Sequence, residues 1–272
     1  MANDDGAGKQ KNDRVGYQTR SLTRALAILD AFTPERRTLS VKDLHSLLTV
    51  PKPTVSRLAS ELQKAGYLRS TDQGYELGPR IFELGLVFDQ QYHLQELARP
   101  LLQELAQNAN LTACMGILDG PEIIHICVAP SPRPVAHVTA VGTRSPAHAT
   151  AMGKALLACA PADAVERALG EGPLPKSTPK TISSPAALRR ELEAIRERGY
   201  SIDDEETAVG LACVATALEL SQVGATAISV SGPAADFDGD TISSLGREVR
   251  ATATKLRAAL SGSHNGALEQ SA

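Results

Sequence analysis

The chain has no tryptophan, and its 272 residues include only five Tyr and four Phe. Binding of unpaired bases relies on aromatic stacking platforms, so single-stranded nucleic acid is a poor fit. The four cysteines, Cys114, Cys127, Cys159 and Cys213, form no C-x-x-C pair. That spacing argues against a zinc knuckle and against a disulfide framework. No stretch approaches the ~18 consecutive apolar residues of a membrane span. The opening MANDDGAGKQKNDR has no apolar run resembling a signal peptide. The expected setting is therefore the cytoplasm, with reduced thiols and no membrane partner. A positive charge excess is missing as well: 28 Lys+Arg face 31 Asp+Glu, a net charge of −3, whereas a lone nucleic-acid-binding domain is usually basic. What is present is 42% apolar residues, too many for a disordered chain. The length suits two domains at ~100–200 residues each.

The charge is unevenly spread. Residues 1–84 hold 13 Lys+Arg against 10 Asp+Glu, and the remainder holds 15 against 21. A basic first third joined to an acidic remainder points to a nucleic-acid contact in the basic part, once its pattern agrees.

Residues 1–18 are polar and Gly/Asp/Asn-rich, as in a mobile, disordered arm. Leu22, Ala25, Leu26, Leu29 and Phe32 then recur at helical spacing, with Ser21 as a plausible N-cap, until Thr33-Pro34 stops the helix. Ser40-Val-Lys-Asp43 resembles a capping box with Asp in place of Glu and opens a short second helix. Only Thr49-Val-Pro-Lys-Pro53 separates it from a third. There Val55, Leu58, Ala59 and Leu62 cluster on one side, while Pro53, Arg57, Ser60 and Lys64 share the other, flanked by Thr54 and Ser56. Gly66 ends this helix, and residues 68–77 read as a strand–turn–strand ribbon. Three short helices and a hairpin over 19–78 form the pattern of a winged helix-turn-helix, whose third helix enters the major groove of double-stranded DNA. Lys52, Arg57, Lys64 and Arg69 suit phosphate contacts; Thr54, Ser56 and Arg57 are placed to reach base edges, and Ser60 lies on the same outward face.

Gly78-Pro79 breaks the chain, and residues 79–93 form an apolar linker helix containing Ile81, Phe82, Leu84, Leu86, Val87 and Phe88. So apolar a helix needs a partner, and a second copy of the chain is the simplest. Residues 94–262 read as α+β: a long amphipathic helix, a hairpin across Asp119-Gly120, a strand over 134–141, a small-residue helix over 150–160, helices at 162–169 and 185–198, strands near 200–202, 213–218 and 225–231, and a closing helix from 242 to 260. Residues 263–272 read as a disordered tail. Such a domain suits small-molecule binding better than a second DNA module.

Catalytic signals are weak. His125, His137 and His148 lie on or near strands without the i, i+4 spacing of a helical metal site, and they read as core or pocket histidines. Ser177-Thr-Pro-Lys180 matches S-x-x-K only in a proline-containing loop, and no P-loop, G-x-G-x-x-G or G-x-S-x-G occurs. Asp203-Asp-Glu-Glu206 reads as an acidic surface turn, at least for its last three residues, rather than a metal cluster. Neither a metal nor a cofactor is expected, nor an enzyme.

Long stretches also resemble the IclR-type bacterial transcriptional regulators. They are Ser21–Leu29, Pro51–Leu58 and Lys64–Leu68 in the first third, then Gly142–Leu157, Gly199–Glu206 and Ile228–Pro233. The resemblance covers roughly 20–260. It implies a winged helix, a helical linker and a GAF-like α/β effector domain, in dimers that often pair into tetramers on operator DNA. It implies a small organic acid as effector, in a pocket whose positions fall here on His137, Ala151, Met152, Asp203, Cys213, Ser229 and Ser231. His137 stands where relatives carry an apolar residue. Asp203 either touches ligand or only caps its turn. The alternative of another class is a small-acid-binding protein or metabolic enzyme with a helical interaction module at its N-terminus. An interaction module would present an apolar outer face on helix 52–64, not Arg, Lys, Ser and Thr.

Overall fold

The structure, a computed structural model, describes residues 20–269 apart from 93, 135, 136, 138, 171 and 221–223. The arm expected over 1–18 lies outside the described residues. The chain divides into two units, Met1–Gln91 and Tyr92–Ala272.

In the first unit, α1 (residues 20–30), α2 (Val41–Leu48) and α3 (Lys52–Lys64) precede the hairpin β1 (Leu68–Thr71) and β2 (Gly74–Leu77), then α4 (Pro79–Tyr92). The apolar sides of the first three helices meet in one core, through Ile28, Leu44, Val55, Leu58 and Ala59, closed by Leu68. Local chemistry fixes the boundaries. The Asp43 N–H donates to Ser40 Oγ (3.2 Å) and the Ser40 N–H to the Asp43 carboxylate (2.9 Å), so the shorter acid does close a capping box. Thr49, at φ 55, stops α2, and Gly66, at φ 81, follows α3. Leu39 adds a rung beside the hairpin: its N–H donates to the Tyr75 carbonyl (3.0 Å), and the Tyr75 N–H returns to Leu39 (2.9 Å). A Cβ on Gly74 would lie 2.5 Å from the Leu39 carbonyl oxygen, at φ +148, so only glycine fits. On α4, Phe82 and Val87 are 69% and 61% exposed, and Leu84, Leu86 and Phe88 are exposed too.

The second unit is a six-stranded antiparallel sheet, in the order β5-β4-β3-β8-β7-β6, with helices on both faces. Its strands are β3 (Thr112–Asp119), β4 (Glu122–Ala129), β5 (Arg144–Pro146), β6 (Ser201–Asp204), β7 (Leu211–Leu220) and β8 (Gly224–Pro233). Gly120 and Pro121 make the β3–β4 turn, with Gly120 at φ 60. Successive side chains alternate between faces. Met115, Val214, Ile228 and Val230 pack under α5 (Leu94–Ala109) and α9 (Gly239–Glu269). Cys114, Ala215 and Ala227 pack under α6 (Ala151–Cys159) and α8 (Pro185–Arg198), with α7 (Ala162–Leu169) alongside.

Two expectations need correction. The described residues of 134–141 form no strand. Pro132 and Pro134 cannot donate ladder bonds, and the edge of β4 is taken later, where the His125 N–H donates to Thr143 O (3.0 Å), the Gly142 N–H donates to His125 O (2.7 Å) and β5 pairs. The tail is not irregular from residue 263: α9 continues to Glu269. Within it the Ser261 hydroxyl donates to the Arg257 carbonyl one turn back (3.0 Å).

Candidate functional site

Two sets of residues are separately assembled. The first is the outward face of α3. Lys52, Ser56, Arg57 and Lys64 are exposed there, and Thr54 and Ser60 half-buried, above the apolar side formed by Val55, Leu58 and Ala59. The first turn of α3 carries no acid, and Pro51 at its N-cap supplies no side-chain cap bond. The positive end of the helix dipole is thus uncompensated. Lys64 pairs with Glu61 (2.9 Å), and Arg69 on β1 pairs with Glu76 (2.6 Å). Such solvent-exposed pairs hold weakly and can be exchanged for phosphate. The arrangement offers cations and short hydroxyls on a convex helix, which suits a groove of duplex DNA.

The second is a cavity of about 120 Å³ on the α6 face of the sheet, lined by Ala151, Met152, Asp203, Cys213, Ser229 and Ser231 among others. Strand register brings these residues together: Cys114 pairs with Ser229, and Ser231 pairs with Cys213, which pairs in turn with Asp203. Thr150 caps α6, its hydroxyl accepting from the Gly153 N–H (3.1 Å), while the Lys154 N–H donates to the Thr150 carbonyl (3.0 Å). Ala151 and Met152, the first two residues of α6, line the cavity, and the first turn of a helix is a favourable place for an anion. Gly153 makes this geometry possible, because a Cβ there would lie 2.2 Å from the Ala147 carbonyl oxygen.

Asp203 lines the cavity and also holds its own turn, accepting from the Glu206 N–H (2.7 Å) and the Thr207 hydroxyl (2.5 Å). Burial pushes its carboxyl above the usual range, against the pull of Thr207 and nearby Lys154. The thiols are neutral: burial drives Cys114 up to about 12 and Cys213 well above its ordinary value.

His137 is not among the residues lining this cavity. It is exposed, in the bend that replaces the expected strand, and borders an adjoining chamber of about 180 Å³ with Val209 and Gly210. The two spaces share Leu211 and Ser231. The histidine on the main cavity is His125, which the sequence places among core or pocket histidines but not among the effector-site positions. Its signal was a polar residue between apolar neighbours in a buried strand. Glu206 also departs from the surface reading of its turn. It is buried and paired with Lys154, itself 1% exposed within α6, whereas Asp204 and Glu205 pair in solvent with Lys180. A lysine sealed inside a packed helix needs a carboxylate partner, and Glu206 is the acid within reach. Burial raises the Glu206 carboxyl, and Lys154 offsets part of that rise. Among the described residues no cluster of His, Cys, Asp or Glu could hold a metal ion, and no helix is long and apolar enough to cross a membrane.

Known proteins with both parts exist. The family model for the IclR helix-turn-helix domain matches residues 21–72, and that for the bacterial transcriptional regulator IclR C-terminal domain matches 89–258. The HTH-type transcriptional regulator BhcR of Paracoccus denitrificans is 35% identical over 240 residues, 87% of this chain and 86% of its own. The transcriptional repressor IclR of Escherichia coli is 29% identical over 252 residues, 90% and 91% of the two chains. The crystal structure of an IclR homolog from Microbacterium hydrocarbonoxydans, complexed with 4-hydroxybenzoate, superposes with a TM-score of 0.78 at 25% identity, covering 89% of this chain and 99% of that one.

Proposed function

The chain belongs to the IclR family of bacterial transcriptional regulators, and from that premise we propose that it binds operator DNA through α3 and answers to a small organic acid held under the start of α6. One observation carries the reading: the unit without the helix-turn-helix encloses a cavity lined by the first residues of α6 and by Ser229 and Ser231, with neutral thiols in its wall. That set receives a carboxylate without a buried countercharge. The 4-hydroxybenzoate in the related crystal structure is an organic acid too. Lys52, Arg57, Lys64 and Arg69 meet phosphates; Thr54, Ser56 and Arg57 reach base edges, with Ser60 on the same face. His137, in the adjoining chamber, contacts only ligands large enough to extend there.

Operator reading by helix-turn-helix proteins uses paired half-sites, and the exposed apolar residues of α4 supply a face for homodimerisation, with further pairing of dimers on DNA. The protein acts in the cytoplasm, where its operator is. Effector control is linkage: an acid that binds one dimer geometry better shifts the separation of the two recognition helices. A gel-shift titration on the DNA upstream of the chain's own gene tests this. Wild type forms a specific, salt-sensitive complex and Arg57→Ala binds the same DNA more weakly; equal binding by the two proteins would overturn the assignment.

A further inference from the structure

His125 is the polar group of the cavity wall that the acid-binding reading leaves unexplained. Its side chain belongs to a residue only 8% exposed, and it lines the cavity. Nδ1 is enclosed without a hydrogen-bond partner, and Nε2 lies 3.5 Å from Ser145 Oγ, at the outer limit of a hydrogen bond. The other buried histidine is differently placed: His148 Nε2 lies 2.8 Å from the Pro175 carbonyl oxygen. A buried polar atom without a partner costs folding free energy and calls for an explanation. Burial lowers the His125 pKa to about 4. The ring at neutral pH therefore offers one donor and one acceptor, not a charge.

His125 and the start of α6 border the same space. Gly116 is the cross-strand partner of His125, and a Cβ on Gly116 would lie 3.4 Å from both Sδ and Cε of Met152. The first turn of α6 supplies donors for a carboxylate; the neutral imidazole on β4 does not compete for it.

We propose that His125 is a specificity-determining residue of this cavity: with the effector's carboxylate at the start of α6, the His125 imidazole pairs with a second, uncharged polar group on the acid, a hydroxyl or carbonyl oxygen. The inference rests on the organic-acid reading above. An acid lacking that group sets a methylene against the imidazole and leaves the ring without a partner on the ligand, and sites built around a hydrogen bond reject such analogues strongly. The volume of about 120 Å³ is below the roughly 150 Å³ of a cavity that admits benzene. An acid held in this cavity alone, without entering the adjoining chamber, therefore has a short chain, on the order of three to five carbons.

The test is calorimetric titration of the full chain with matched acids: propionate against lactate and pyruvate, and butyrate against 3-hydroxybutyrate. Wild type binds the better substituted member of at least one set ~10-fold or more tighter than its plain counterpart. His125→Leu brings that ratio to within about threefold and leaves the plain acid bound at least as well. His125→Asn, with an amide near the Nδ1 position, keeps part of the preference. Equal binding of plain and substituted acids by wild type overturns the inference, as does undiminished preference in His125→Leu. Acid binding without His125-dependent preference sinks the inference alone; no binding of any of these acids to wild type sinks it together with the organic-acid reading for short chains. Loss of native structure in His125→Leu would also count against it, because removing an unpaired polar atom from the free protein should preserve or raise Tm.

Discussion

On α3, Lys52, Arg57 and Lys64 are exposed to water, and the Lys64–Glu61 pair can be exchanged for phosphate. In the cavity of the second unit the same strategy would be prohibitive, because a buried charge loses its hydration. The cavity wall carries instead the start of α6, the Ser229 and Ser231 hydroxyls, protonated thiols and an uncharged imidazole, and the carboxyl of Asp203 in that wall is raised by burial and held by its own turn. The buried ion pair of Lys154 with Glu206 tethers α6 to the turn that carries Asp203. Substitutions on α3 should therefore change binding and spare stability, whereas substitutions around α6 should strike stability first.

The largest expected effect follows from breaking that tether. Lys154→Met leaves Glu206 buried and unpaired and should destabilise the second unit by ~3–5 kcal/mol, read from urea unfolding; Lys154→Met with Glu206→Leu should recover most of it. A smaller effect comes from acid. The folded His125 pKa of about 4 lies below its ordinary value of 6.5, so the unfolded chain takes up a proton first as pH falls. The stability owed to neutral His125 is complete above about 6.5 and is lost towards 4, by up to roughly 3 kcal/mol. Asp203 and Glu206, raised by burial, act in the opposite sense. The informative quantity is thus the difference between wild type and His125→Leu, which should shift against wild type across that window. On the DNA side, Arg57→Ala should weaken operator binding by ~1–3 kcal/mol with Tm unchanged, checked by fluorescence anisotropy and thermal melting. Smallest is Lys64→Ala, which should weaken all DNA sequences about equally and lower the salt slope by about one.

The contrast also explains what could be read from the chain alone. The helix-turn-helix was legible because its signals are local: Ser40 with Asp43, Gly66, and the apolar spacing through Val55, Leu58 and Ala59. In the second unit the cavity's sheet residues follow from strand alternation, since Cys213, Ser229 and Ser231 share a face. His125 was harder, because its orientation depends on a register shift between Met115 and Gly116 and on a neighbouring segment that is a bend, not a strand. The Lys154–Glu206 pair joins residues 52 positions apart, and no spacing rule announces it. A lone lysine in a helix of small apolar residues was the available cue.

Anisotropy titration of the upstream DNA fragment, with and without a bound short-chain acid, tests the central claim of two separate but linked sites. It needs wild type and the Ser229→Ala/Ser231→Ala double variant. The account predicts equal operator affinity for the two proteins without acid, an acid-induced change in wild type of about fivefold or more, and little change in the double variant. An acid that leaves wild-type affinity untouched, or shifts both proteins alike, would contradict it.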